Sequence, residues 1–153
     1  MNRWLKWSLL ILIGIFVVIQ FFRPERNLLP PTESDLLVQL DPPEELALIL
    51  QNSCYDCHSN QTRYPWYSHV SPVSWYLDRH IREGKEEVNF SHFGDLEQRA
   101  KIRLLNEICE EVEEGSMPLP SYIRMHRDAL LTAEEIASLC DWSELEALRL
   151  MRE

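Results

Sequence analysis

Residues 53–58 read Ser-Cys-Tyr-Asp-Cys-His, and no other stretch limits so strongly what the chain can fold into. Thiols three positions apart lie about one helical turn from each other, and three chemistries use them: a zinc knuckle, a dithiol redox centre and covalent attachment of haem. Each demands different surroundings. A structural zinc site takes four ligands, usually in two close pairs; Cys54 and Cys57 make one pair, but Cys109 and Cys140 stand far apart in the chain. A thioredoxin-like dithiol belongs to a βαβ unit, whereas Leu46, Ile49, Leu50, Ser53 and Cys54 fall at helical spacing, so the pair follows a helix. Haem attachment needs two thiols for the vinyl groups and a histidine directly after the second to reach the iron. Cys54, Cys57 and His58 offer that set.

A chain of 153 residues whose N-terminus lies outside the fold has room for one domain of about 100 to 120 residues. Asp and Glu number 25 against 15 Lys and Arg, and four of those cations, Arg3, Lys6, Arg23 and Arg26, precede residue 33. The remainder has no basic stripe with which to neutralise phosphates, which excludes nucleic acid as a partner. A protein with a basic surface suits the charge better, though an acidic exterior that only keeps the chain solvated is the commoner account, and the glutamates of "EICEEVEEGSM" are either a solvated helix face or a docking rim for such a partner.

The N-terminus carries no charge from Trp7 to Phe22, close to the roughly 17–25 residues that cross a bilayer. Arg3 and Lys6 precede the run, and no small-residue cleavage pattern follows it. The expectation is a transmembrane anchor over residues 1–23, a proline-bearing linker over 24–34, and a domain over 35–153.

Within that domain the pattern is helical. Asp41 before Pro42 and Pro43 reads as the cap of a first helix. Ser71-Pro72 opens a second, with Val73, Tyr76, Leu77, His80 and Ile81 on one face and Gly84 at its end. Asp95 and Gln98 read as the capping pair of a third helix, which stops at Gly115. Thr132 and Glu135 make a capping box for a fourth, whose inner face holds Ile136, Leu139, Cys140 and Ser143. Strand-like alternation is absent, so the fold class is all-α: about four short helices joined by two long loops. Cys109 and Cys140 read most simply as separate buried thiols, with a disulfide as the alternative.

The run "NSCYDCHSNQTRYPWYSHVSPVSW", then "HIREGKEEVNFSHF" and "MPLPSY", resembles the bacterial haem-binding domain proteins, a cytochrome-c-like group of anchored or exported proteins, over roughly residues 35 to 145. "LTAEEIASLCDW" is similar to the last helix of many small c-type cytochromes. The resemblance implies one covalent haem c, a cytochrome-c-like bundle around it, and electron transfer rather than enzymatic turnover. With the anchor, it implies a single-pass protein of the bacterial inner membrane whose C-terminal domain faces the periplasm.

Iron then needs a sixth ligand. Met117 lies in a proline-stiffened loop, at a separation from His58 similar to that in single-haem c-type cytochromes; His80 is the alternative. Tyr64, Trp66 and Trp75 are candidates to wall the haem pocket, and a carbonyl near Pro65 is a candidate acceptor for the second nitrogen of His58. Arg63 reads as a solvated side chain or a propionate partner. The competing functions are a haem sensor or peroxidase-like protein with an open sixth position, and a zinc- or disulfide-stabilised interaction domain.

Overall fold

The computed structural model describes residues 2–152. They form eight α-helices and three short 3-10 helices, and the one β contact among them is an isolated antiparallel bridge between Leu28 and Gln61. The all-α expectation holds, with more and shorter helices than the spacing of apolar residues indicated.

The N-terminal expectation does not hold. Among the described residues no helix is long and apolar enough to cross a membrane, which overturns the transmembrane anchor and with it the single-pass inner-membrane placement of a periplasmic domain. Helix α1, Arg3–Ile19, has 17 residues, about 25 Å at the usual rise, against about 30 Å of hydrocarbon. The apolar run continues beyond Ile19, but the domain draws those residues out of the helix. Gln20 pairs with the backbone of Ser71 through both ends of its amide, at 2.9 and 3.0 Å. The indole N–H of Trp75 donates to the Phe22 carbonyl at 2.6 Å.

Residues 23–34 then run along the loop that follows the cysteine motif. Asn27 donates to the Tyr64 hydroxyl, the Ser59 carbonyl and Thr62, and the Leu29 N–H donates to the Asn60 carbonyl. A short helix α2, Leu36–Leu40, follows, capped by Asp35 and closed by Asp41 in the left-handed region at φ 43°. Asp41 therefore ends a helix rather than starting the next. Helix α3, Glu44–Ser53, begins after Pro43 without a side-chain cap. The motif itself forms the single turn α4, Tyr55–His58.

Helix α5, Val73–Glu87, buries Ser74 and Ile81 rather than the Val73–Tyr76 edge, and it runs through Gly84 instead of ending there. Helix α6, Gln98–Glu113, starts without a side-chain cap: Asp95 is engaged by Ser34 and His92, and the Gln98 amide reaches back to the Leu150 carbonyl. Its inner face carries Leu105, Cys109 and Val112. Helix α7, Pro120–Ile123, is a single turn, and α8, Ala133–Leu150, starts with the capping box of Thr132 and Glu135. Leu139, Cys140 and Ser143 of α8 are buried against α6. Cys109 and Cys140 are joined in a disulfide, with Cα atoms 4.7 Å apart, so the reading as separate thiols is corrected. One apolar core, from Leu36 and Leu50 through Phe93 and Leu105 to Leu139, supports the whole.

Candidate functional site

Helix α3 carries the chain into the site and stops there. Cys54 turns out of helical geometry, at φ −124° and ψ −43°, and its carbonyl accepts the N–H groups of both Cys57 and His58, at 3.2 and 3.0 Å. The motif is thus a single turn wound on the Cys54 carbonyl. Its start is fixed by Ser53, whose buried hydroxyl donates to the Ala129 carbonyl.

The two residues between the cysteines fasten this turn to the core. Tyr55 donates to the carboxylate of Asp35 at 2.7 Å, and that carboxylate also accepts the Leu37 N–H, the Gln61 amide and the Ser91 hydroxyl. Asp35 is only 1% exposed, so this set of donors is what makes its burial tolerable. Burial, with Asp35 beside it, pushes the Tyr55 phenol well above its usual range, and Tyr55 therefore remains a donor. Asp56 is the second anchor. Its Oδ1 accepts the Arg63 backbone N–H at 2.8 Å and Nε at 3.2 Å, while Oδ2 accepts the Tyr122 hydroxyl at 2.6 Å. Arg63 is therefore committed to the cysteine motif and is not a free surface cation.

Helix α5 closes the far side. A Cβ built on Gly84 would stand 2.9 Å from the Cys57 carbonyl oxygen, so only glycine lets α5 come this near. The approach delivers the last carbonyls of α5 to His58. Nδ1 of His58 lies 3.3 Å from the Val88 carbonyl; a carbonyl only accepts, so Nδ1 carries the proton and Nε2 keeps a lone pair. Burial lowers the His58 pKa, while the Val88 and Gly84 carbonyls oppose that effect. The acceptor is thus Val88, the residue that follows α5, rather than a carbonyl near Pro65.

The Met117 loop leaves from the end of α6. Gly115, at φ 70°, closes that helix: the Ser116 N–H reaches back to the Glu111 carbonyl and the Gly115 N–H to that of Val112, the arrangement of a Schellman cap. The Met117 N–H bonds the same Glu111 carbonyl at 3.0 Å, so the first residues of the loop fold back on the helix. The negative charge of Glu111 favours the charged form of His58 and so opposes the effect of burial.

The other candidates are placed differently. His80 donates from Nδ1 to the Tyr76 carbonyl of its own helix and packs on the Tyr76 ring, centroids 4.2 Å apart. Tyr64 accepts from Asn27 and lies beneath the Arg26 guanidinium; Trp75 holds Phe22; Trp66 is 76% exposed, with its edge on Tyr67. Two of the three proposed wall aromatics are thus engaged with the N-terminal segment. Asp35, Asp56, Gly84, Val88 and Tyr122 were missed as site residues. The signal at hand was an acidic residue inside the motif with an arginine seven positions on.

Cys54 and Cys57 are free thiols. Burial, helped by the neighbouring thiol, pushes Cys54 up to about 12, and burial with Asp56 pushes Cys57 up to about 11. Such thiols are poorly suited to a dithiol redox centre, which works through a thiolate near neutral pH. They also do not converge with other ligands as a zinc knuckle requires. Among the described residues the group of three that does converge, within 4.8 Å, is Cys109, Glu113 and Cys140, and its sulfurs are joined in the disulfide. Two free thiols on one turn, followed by a neutral imidazole oriented by a backbone carbonyl, fit haem.

A family model described as "Haem-binding domain" matches residues 14–145, and the chain belongs to that family. The cofactor it binds is haem. No curated protein and no solved structure matched the chain.

Proposed function

We propose that this haem-binding chain is a single-haem c-type cytochrome that carries electrons between redox partners. Cys54 and Cys57 would hold the haem by thioethers, and His58 Nε2 and Met117 would bind its iron. Bound there, haem supplies a one-electron iron couple. The protein's part is to hold it: Val88 keeps the His58 proton on Nδ1, Asp35 and Asp56 fix the turn, and Gly115 sets where the Met117 loop begins. The observation that carries the reading is the half-buried His58 ring, oriented by the Val88 carbonyl directly after two free thiols.

Met117 is favoured over His80 because its loop is set by the Gly115 cap and the Glu111 carbonyl, whereas the His80 ring is held against Tyr76. Met117 ligation would raise the potential relative to a bis-histidine pair. Glu110, Glu111, Glu113 and Glu114 are exposed beside this loop, and a partner with a basic face would dock there.

The test is a redox titration of the haem-loaded protein, followed by transfer kinetics with a small basic redox protein. A reversible one-electron couple and transfer that slows as salt rises would support the reading. A haem that does not cycle, or one that binds gases at once in both oxidation states, would sink it. Met117→Ala should abolish the methionine-to-ferric-iron absorption band and lower the potential; a band that persists would remove Met117 from the iron.

A further inference from the structure

Tyr122 joins three segments that are far apart in sequence. Its hydroxyl donates to Asp56 Oδ2 at 2.6 Å, inside the cysteine motif. Its ring stacks on His126, centroids 4.1 Å apart and planes at 21°. His126 in turn accepts the Tyr67 hydroxyl on Nε2 at 2.9 Å and donates from Nδ1 to the Tyr122 carbonyl. Tyr67 belongs to the aromatic loop that follows the motif, and Tyr122 itself ends the "MPLPSY" stretch that begins at Met117.

The position along the chain matters more than the number of contacts. The Met117 loop is pinned at its start by Gly115 and by the Glu111 carbonyl, which holds the Ser116 and Met117 amides. It is pinned at its other end by Tyr122 on Asp56. Pro118 and Pro120 stiffen the span between. Asp56 cannot move aside, because Arg63 grips the same carboxylate through its backbone N–H and its guanidinium and is tied by Nη1 to Asn52. Asp56 is two residues from His58, so the loop bearing one proposed iron ligand is fastened to the turn bearing the other. Resting on the haem reading above, we infer that Tyr122 is a positioning residue that locks the Met117 loop to the Cys54–His58 turn through Asp56, with Arg63 holding the carboxylate.

A tyrosine that merely filled space would weaken the whole molecule when altered. A lock weakens one loop. The experiment compares the haem-loaded wild type with Tyr122→Phe by amide hydrogen exchange, and by the pH at which the methionine–iron band is lost. In Tyr122→Phe the haem should stay covalently attached. Exchange at Ser116 and Met117 should rise several-fold while Leu105 and Leu139 keep their protection, and the band should vanish about one pH unit earlier, the tenfold that a charge-assisted hydrogen bond is worth. Asp56→Asn, which keeps the side chain's shape, should do the same and serves if Tyr122→Phe does not fold. Unchanged exchange and midpoint, or a uniform rise across the helices, overturns the lock. Absence of covalent haem from the wild type would instead overturn the haem c reading, and exchange at Ser116 and Met117 would then judge the lock alone.

Discussion

Asp56 shows how little of a side chain's role is visible from its neighbours in the chain. Placed between two cysteines it looks like a solvated acid, yet it is 6% exposed and holds Arg63 and Tyr122. Asp56→Ala would leave those donors without their acceptor in a poorly hydrated place, so it should cost about 1–3 kcal/mol, read as a fall in the denaturant midpoint at constant slope. The thiols make a second prediction at this scale. With Cys57 near 11 and Cys54 near 12, almost no thiolate exists at pH 8, and alkylation of the apo chain should be slower than that of a free cysteine on the order of 100-fold. The rate should climb with pH well past the point where an ordinary thiol has saturated; a rate that levels off near pH 9 would contradict the burial. The close grouping of Cys54, Cys57 and His58 was legible because their spacing falls within one turn. Arg63 and Tyr122 were not, because what defines them is a contact across the fold.

Helices were legible where a local signal was unopposed. The box of Thr132 and Glu135 is satisfied within four residues, and α8 starts there as read. Asp41 offered an equally good cap, but Asp35 already starts a helix upstream, and Asp41 is consumed in closing it. Gly84 read as a helix stop because an interior glycine is disfavoured; its actual use, the approach of α5 to the Cys57 carbonyl, is tertiary. Gly84→Ala should push α5 off the motif, cost about 1–3 kcal/mol and lower the yield of haem-loaded protein, measured as haem per chain. A normal yield would show that the approach is dispensable. Between α6 and α8, the disulfide closes a separation of 31 residues. Replacing both cysteines by serine should cost about 3–4 kcal/mol on the loop-entropy account; a melting temperature unmoved by the change would contradict the cross-link.

At the scale of the whole molecule, the N-terminal segment is where composition misled most. A count of apolar residues runs straight through Gln20, Phe21 and Phe22, whereas the folded chain ends its helix at Ile19 and fastens those residues to Ser71 and Trp75. Hydropathy along the chain cannot register that competition, because the partners lie about fifty residues away. The all-α class was legible from periodicity, and the aromatic loop was legible as a loop, but not its use in holding the N-terminal segment. The central claim is that the single turn from Cys54 to His58 carries haem covalently. Its most direct measurement is the intact mass of the denatured chain, with haem staining on a denaturing gel, after expression with a haem-maturation system. One haem should be retained per chain and lost in Cys54→Ser/Cys57→Ser. A denatured chain of unmodified mass, with both thiols free, would contradict it.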